Sequence, residues 1–583
     1  MYDFIYKDSD PSDTIKKCQN ILNSLGFTFL EDCVQSSGHL FSVFLQEKNL
    51  GYFSNGKGST LEYAKASAYA EFLERLQNTL FLKDWNKNTF GSSFNFYPDE
   101  VLRPWGILKD FPDLLKDISF QFELGSKRSF LNDDELIAYC KARFNNENEV
   151  LCANFYSLKK GETLFPFEIL SDLIYTSGMC AGNTPEEAIA QGLSEIFERW
   201  ASFFCWSNNL TPPKVNRDFI RKKYPQQYSQ IEEIESLNPN ISLTVLDCSL
   251  GLGIPVVGVL LTDTSSHRFR VQYGAHIRFE IALERCLTEF LQGYDPRNES
   301  QNILNLVPLD AELDYEYFTK RNVHKLCDYS IGRVPLSFFT EKPSWEFKEW
   351  TSYENLNNKL FCKIMINKIL EFAPDIYIRD NTYLGFPTYY IYVPSLSILP
   401  IPKSYEDFND DLYEEEAYNF IENYENWDFN KKKAFCHYLI SDMDAYPIIS
   451  NESLFPEQVF KLAVLVENGF YEDALLLREF LPKNSKYEII FFDLKLLLKH
   501  ASLEQRQSLL FTFFNKEDYN FWDNVWSSCN NIVEKLIKLN DEVLLEEHSF
   551  ERISTINNKD LIFNYKNKMK ENIPSQIKLK EIL

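Results

Sequence analysis

Ala66-Ser67-Ala68-Tyr69-Ala70-Glu71-Phe72-Leu73-Glu74-Arg75, preceded by Gly56-Lys57-Gly58-Ser59-Thr60, carries the densest chemical information in this chain. At about 100° per residue, Ser67, Glu71 and Glu74 fall within roughly 60° of one another, while Tyr69, Phe72, Leu73 and Leu76 lie opposite. Ser59 with Glu62 makes a capping-box pattern for the start of the helix. The reading is a glycine-rich turn feeding a helix with both carboxylates on one face.

The pattern returns twice. In the second copy a glycine-bearing loop, Ser177 to Asn183, opens a helix with Thr184 as N-cap, Pro185 in the first position and Glu187 completing a capping box. Glu187, Gln191, Glu195 and Glu198 then lie within roughly 80° of one another, with Ile189, Leu193, Ile196 and Trp200 on the back. In the third copy Arg285, Glu289 and Gln292 share a face. Any one such helix is ordinarily a solvated amphipathic helix. Threefold recurrence, with no lysine at i+4 on those faces to offset the carboxylates, favours a shared site. Glutamates gathered together repel unless cations neutralise them, and a few carboxylate oxygens are what Mg²⁺ takes when it carries a nucleotide. Arg75, Arg199, Arg285 and Lys57 would then face phosphate oxygens.

Two tempting alternatives are weaker. Gly51 to Lys57 fits G-x-x-x-x-G-K, but Gly58 stands where a P-loop needs Ser or Thr, so this is not a Walker A site. Cys180, just before a helix, could be an activated thiol. Without a histidine partner, a small packed loop residue is the favoured reading.

A chain of 583 residues allows roughly two to four domains. Its twelve cysteines are scattered, without Cys-x-x-Cys or a Cys/His cluster, so neither a zinc site nor a disulfide framework is expected. The start lacks the basic and apolar regions of a signal peptide, and the longest near-apolar run, Gly253 to Leu261, is too short to span a bilayer. A cytoplasmic protein without membrane contact is the expectation. The formal charge of -25 argues against nucleic acid and permits a basic protein partner.

Along the chain, residues 12–25 read as an amphipathic helix, and 34–45 and 50–53 as strands, so 1–58 forms an N-terminal approach to the core. The core is placed at 59–405. Within it 84–150, without sustained period, is taken as an insertion. Strands are expected at 150–156, 241–248, 254–262, 269–274, 376–378 and 388–394, with helices at 279–293 and 354–372. Pro400 to Lys403 and the acidic run Asp407 to Glu416 mark a boundary, beyond which 406–583 reads as all-helical. Phe460 to Leu465, Asn468 to Leu475 and Leu481-Pro482 have the spacing of a tetratricopeptide-like hairpin, with a generic helical domain as the equal alternative.

At the motif residues the sequence resembles the YcaO family, in particular its long, stand-alone bacterial type. The resemblance rests on three stretches. They are Asn55-Gly56-Lys57-Gly58 with Ser67, Glu71, Glu74 and Arg75; Ser177 to Thr184 with Gln191, Glu195, Glu198 and Arg199; and Gly274-Ala275-His276 with Arg285, Glu289 and Gln292. It covers about 4–393 and, more weakly, the tail. The resemblance implies an α/β (α+β) ATP-binding core without a P-loop that activates an amide oxygen by phosphorylation. It assigns Glu71, Glu74, Glu187, Glu195, Glu198 and Glu289 to Mg²⁺, and Ser67, Asn183, Gln191, Arg199 and Arg285 to ATP. Lys7 and Thr14 fall where the stand-alone type carries Lys and Ser near the nucleotide. Departures are Tyr390 where the family often has Arg, Cys180 where Ser is usual, and a C-terminus, Lys578 to Leu583, without a proline-rich end. No peptide-capturing winged-helix domain precedes the core either.

These departures favour the stand-alone type over azoline formation. That type is associated with β-methylthiolation of an aspartate in a small-subunit ribosomal protein, as accessory factor to a radical methylthiotransferase. A homodimer is expected. Two alternatives stay open: a cyclodehydratase or thioamide-forming enzyme acting on a peptide, and a non-catalytic protein-binding scaffold.

Overall fold

The computed structural model describes residues 7–82, 96–290, 342–398, 457–539 and 555–583, short breaks within these ranges aside, with isolated residues between 307 and 340 and between 424 and 436. Helix α1 (Pro11–Ser24) starts with Pro11 in its first turn and Asp10 as cap, whose side chain accepts from the Ser12 N–H. Strands β1 (Phe29–Ser37), β2 (Leu40–Glu47) and β3 (Phe53–Gly58) form an antiparallel meander, and α2 (Leu61–Gln77) lies across it.

The expected turn at Gly56 to Gly58 is instead the end of β3. Gly56 pairs with Val43 and Gly58 with Phe41, and neither has a positive φ. Their reason is contact. A Cβ on Gly56 would sit 2.0 Å from the Ala64 carbonyl oxygen, so only glycine lets α2 lie directly on the strand. The helix cap is Thr60, not Ser59: the Thr60 side chain accepts from the Tyr63 N–H, and the Ser59–Glu62 capping box does not form.

The described residues of 84–150 are built into the core rather than standing apart from it. Within that stretch β4 (Val101–Pro104) pairs with β5 (Glu149–Ser157), and Trp105, Leu108, Phe111 and Ile118 join the same core as α2. A single large sheet runs β4-β5-β12-β13-β7, where β7 is Met179–Ala181, β12 Tyr377–Asp380 and β13 Thr388–Tyr392, and β6 (Gly161–Phe165) pairs with β5. Every one of these pairings is antiparallel. The architecture is therefore α+β. Among the described residues the parallel sheet that strand–helix alternation suggests under an α/β reading is not formed, because strands pair through hairpins and long returns.

Strand β7 leads into α3 (Pro185–Ser207). A second meander, β8 (Ile241–Asp247), β9 (Val256–Asp263) and β10 (Arg268–Ala275), with a short β11 (Val307–Pro308) at its edge, follows α4 (Pro225–Ser236) and precedes α5 (Phe279–Glu289). It repeats the plan of β1–β3 and α2. Gly274 plays the part of Gly56, since a Cβ there would meet the Ala282 carbonyl oxygen at 2.3 Å. Helix α5 also touches β2 and β3, so the two meanders share this helix, while α6 (Asn358–Ile369) covers α3. Gln292, expected on the α5 face, lies outside the described residues.

Beyond the core, buried residues from Tyr424 to Val533 form a separate helical core. Helices α7 (Glu457–Glu467) and α8 (Tyr471–Leu476) make a hairpin that turns at Gly469, φ 83°. Helices Ser485–Leu498 and Leu503–Phe513 follow it and pack on each other, so this part is a helical body. The boundary at 400–416 and Leu481-Pro482 lie outside the described residues. The all-helical body expected over 406–583 splits, because α9 (Thr555–Glu571) and the residues after it return to the core. Leu561, Tyr565 and Met569 pack with α2, the Tyr565 hydroxyl donates to the Leu76 carbonyl, and Gln576 bonds both the N–H (2.7 Å) and the carbonyl (3.1 Å) of Asp380. No helix among the described residues is long and apolar enough to cross a membrane.

Candidate nucleotide and metal site

Three helices, each entered from a strand end, surround one cavity of about 300 Å³. All the residues that the resemblance assigns to Mg²⁺ or ATP line it. From α2 come Ser67, Glu71 and Glu74; from α3 Glu187, Gln191, Glu195, Glu198 and Arg199, with Asn183 just before it; from α5 Arg285 and Glu289. The segment before α1 and its first turn bring Lys7 and Thr14. Long-range packing, not sequence proximity, creates this assembly.

At one end the contacts are mostly polar. The Thr14 hydroxyl donates to Asn183 Oδ1 at 2.8 Å, and Lys7 Nζ lies 3.2 Å from both Gln191 Oε1 and Glu187 Oε1. Thr184 does cap α3, accepting from the Glu187 N–H at 3.2 Å. The Glu187 carboxylate turns into the cavity, where it accepts from the Asp8 N–H at 2.8 Å and from the Asn183 amide at 3.3 Å. Its part in the expected capping box gives way to these contacts.

Charge fills the middle. Arg75 bridges Glu74 (3.0 Å) and Glu71 (3.5 Å), Arg199 pairs with Glu195 at 2.8 Å, and Lys57 pairs with Glu289. Glu198 accepts the Ala275 N–H at 2.7 Å, and Arg285 donates to the Ala275 carbonyl at 2.8 Å. Burial raises the Glu74 carboxyl to about 7; Arg75 opposes the rise, and Glu195 and Glu71 reinforce it. Glu71 and Glu198 are also pushed up, first by burial. Burial, then Arg285, brings the Lys57 ammonium down to about 8. Burial works against the Arg75 guanidinium too, but Glu74, Glu71 and Glu195 together outweigh it and raise its pKa.

Oxygen donors in this number, with no Cys or His among the lining residues, fit a hard divalent cation. Among the described residues no three acids converge on one metal position. The ion pairs explain why: each draws a carboxylate toward a side-chain cation.

Cys180 is packed inside the fold. It is a β7 residue, buried against Gly192, with its thiol pushed well above its ordinary value first by burial and then by Glu74 and Glu195. Lining residues to which the sequence reading gave no role include Tyr63, Tyr273, Glu284, Thr288 and Phe386. Glu284 stands next to Arg285 in the third motif, but it lies off the Arg285–Glu289 spacing.

The family described as YcaO cyclodehydratase, ATP- and Mg²⁺-binding, matches residues 55–397. The chain belongs to the YcaO family. It is similar to the ribosomal protein S12 methylthiotransferase accessory factor YcaO of Escherichia coli (strain K12), 29% identical over 400 residues, covering 67% of this chain and 65% of that protein. An uncharacterized protein of Haemophilus influenzae is 28% identical over 419 residues, with 67% of this chain and 65% of that one covered. Each match thus spans somewhat under two thirds of the relative's length. Among solved structures, a heterocyclase in complex with substrate and cofactor overlaps with a TM-score of 0.47 at 18% identity, covering 67% of this chain and 53% of that one. YcaO from Methanopyrus kandleri bound with AMPPCP and Mg²⁺ overlaps with a TM-score of 0.39 at 15% identity, covering 68% and 94%.

Proposed function

We propose that this chain binds ATP with Mg²⁺ in the three-helix cavity and activates an amide oxygen by phosphorylation. Its role is that of accessory factor in β-methylthiolation of a small-subunit ribosomal protein aspartate. The observation that carries the reading is the convergence of Glu71, Glu74, Glu195, Glu198 and Glu289 with Arg75, Arg199, Arg285 and Lys57 in one cavity. The accessory-factor role is supported by the similarity to the Escherichia coli protein of that name.

The glutamates, Glu187 among them, would hold Mg²⁺, which when bound supplies positive charge beside the phosphates. Lys57, Arg75 and Arg199, released from their carboxylates, would then turn to phosphate oxygens. Lys7, Thr14, Asn183, Gln191 and Ser67 would hold the less charged part of the nucleotide. The partners are a radical methylthiotransferase and the ribosomal protein, the assembly a homodimer, and the compartment the cytoplasm. The described helices between Glu457 and Leu539, tetratricopeptide-like in this reading, would dock a partner. The family's description as cyclodehydratase favours a second reading, a peptide-modifying enzyme that forms azolines or thioamides.

Purified protein given ATP and Mg²⁺ should release phosphate, and Glu71→Ala or Glu195→Ala should abolish release. A wild type that neither binds nor hydrolyses ATP refutes the nucleotide reading. Mass spectrometry of ribosomal proteins from a deletion strain tests the pathway, and an unchanged methylthio-aspartate level refutes it.

A further inference from the structure

Glu74 lines the cavity from the last turn of α2, and that turn runs into three buried polar residues, Gln77, Asn78 and Thr79. The first two reach distant parts of the chain. Gln77 donates to the Phe386 carbonyl (2.9 Å) and the Thr388 hydroxyl (2.6 Å) and accepts from the Leu384 N–H (2.7 Å). Asn78 caps the helix: its N–H and its Nδ2 both donate to the Glu74 carbonyl, at 3.0 and 2.9 Å. Its Oδ1 accepts from Asn381 Nδ2 at 2.8 Å, and Asp380, the residue before, is held at its N–H and its carbonyl by Gln576 of the C-terminal segment. A continuous polar path leads from Gln576 through Asp380 and Asn381 to Asn78 and the backbone of Glu74.

Packing alone does not call for this path. Asn78, Asn381 and Gln576 are each at most 2% exposed, Asn381 Oδ1 has no partner among the described residues, and the β-branched Thr79 holds φ at 61°. Apolar side chains would fill the same space without desolvating polar groups. A buried polar network rigidifies the elements it joins, and strained backbone gathers near functional sites. Here the element joined is the end of α2 that carries Glu74. Outer groups that orient a metal ligand typically govern its affinity by about 10–100-fold.

We propose that Asn78 is a positioning residue for the Mg²⁺ ligand Glu74 and that Gln576 acts through it, so that the C-terminal segment sets metal affinity from outside the cavity. Neither residue is among those lining the cavity. The assignment rests on the Mg²⁺–ATP reading above, and it adds the groups that hold one of the carboxylates in place.

Isothermal titration of the full chain with a non-hydrolysable ATP analogue, at low and at high free Mg²⁺, is the test. At low free Mg²⁺, Asn78→Ala and Gln576→Met should each weaken binding by about tenfold or more. High free Mg²⁺ should restore it, and the double variant should bind no more weakly than Asn78→Ala alone, because both changes act on one path. Asp117→Ala strands the Tyr392 hydroxyl and the Ser395 N–H, none of which lines the cavity; it serves as a destabilised control and should stay within about twofold of wild type. Thermal melts show whether each variant folds, and Asn78→Ser replaces Asn78→Ala if that variant does not. Unchanged affinity in Gln576→Met, losses that multiply in the double variant, or a loss that high Mg²⁺ leaves in place overturns the proposal. A wild type that fails to bind the analogue at either Mg²⁺ level refutes the nucleotide reading, and this assignment with it.

Discussion

Replacing Glu74 by Gln should make the chain more stable at pH 8 while removing its hold on Mg²⁺. Glu74 is 8% exposed, and burial raises its carboxyl from the ordinary 4.5 to about 7 despite Arg75 at 3.0 Å. The folded-state value lies above the unfolded one, so folding favours the protonated form. That contribution is complete below pH 4.5 and is lost as the pH rises through about 7. At about 1.4 kcal/mol for each tenfold change, the charged carboxylate costs the fold about 3 kcal/mol at pH 8. Gln keeps the shape and carries no charge, so Glu74→Gln should recover up to about that amount at pH 8 and little at pH 4.5. A thermal melt would register a rise of several degrees at the higher pH only. Isothermal titration with Mg²⁺ and a non-hydrolysable ATP analogue should show affinity lost in the same variant. A melting temperature that falls at pH 8, or rises equally at both pH values, refutes the reasoning: the carboxylate would then be a stabilising partner of Arg75 and not a charge held for a ligand.

Gly56→Ala should cost about 3 kcal/mol or more, because its Cβ would press on the Ala64 oxygen, whereas Gly106→Ala, with nothing within 4 Å, should stay within about 0.5 kcal/mol by urea unfolding. Asp493→Ala strands Arg506, which it holds at 2.5 and 2.6 Å in a buried pair, and should cost about 3–5 kcal/mol in the helical part while nucleotide affinity by titration is unchanged. Tyr565→Phe removes the hydroxyl bonded to the Leu76 carbonyl and should lower stability by about 1 kcal/mol, read as a lower urea midpoint.

The site was more legible than the fold. Ser67, Glu71 and Glu74, then Gln191, Glu195 and Glu198, sit at helical spacings, and spacing along a helix is a local property that a sequence displays. Their meeting in one cavity depends on strands β3, β7 and β10 delivering three helices to the same place, which no local pattern encodes. Glycine misled because it serves two ends: Gly56 and Gly58 looked like a turn, yet they are extended residues that admit a helix against a strand. The described part of 84–150 divides among β4, a 3₁₀ turn and helices of 15 and 12 residues, so no one period runs through the stretch. The return of α9 to the core was hidden for a similar reason. Leu561, Tyr565 and Met569 form a buried stripe at helical spacing, but nothing in such a stripe names the surface it will meet.

The ion pairs that draw the glutamates apart are better understood as part of the site than as an obstacle to it. Seven glutamates around a cavity of about 300 Å³ would repel one another strongly with nothing between them. Lys7, Lys57, Arg75 and Arg199 supply the missing positive charge from within the chain, and each lines the same cavity as the carboxylate it holds. An incoming Mg²⁺ ion with a phosphate chain brings both partners at once, the metal for the carboxylates and the phosphate oxygens for the freed cations. Either one alone leaves half of the exchange uncompensated. Metal and nucleotide should therefore bind together, with Mg²⁺ alone or ATP with a chelator each at least about tenfold weaker than the pair. Tight binding of Mg²⁺ to the nucleotide-free chain would mean that the cations do not hold the carboxylates in solution.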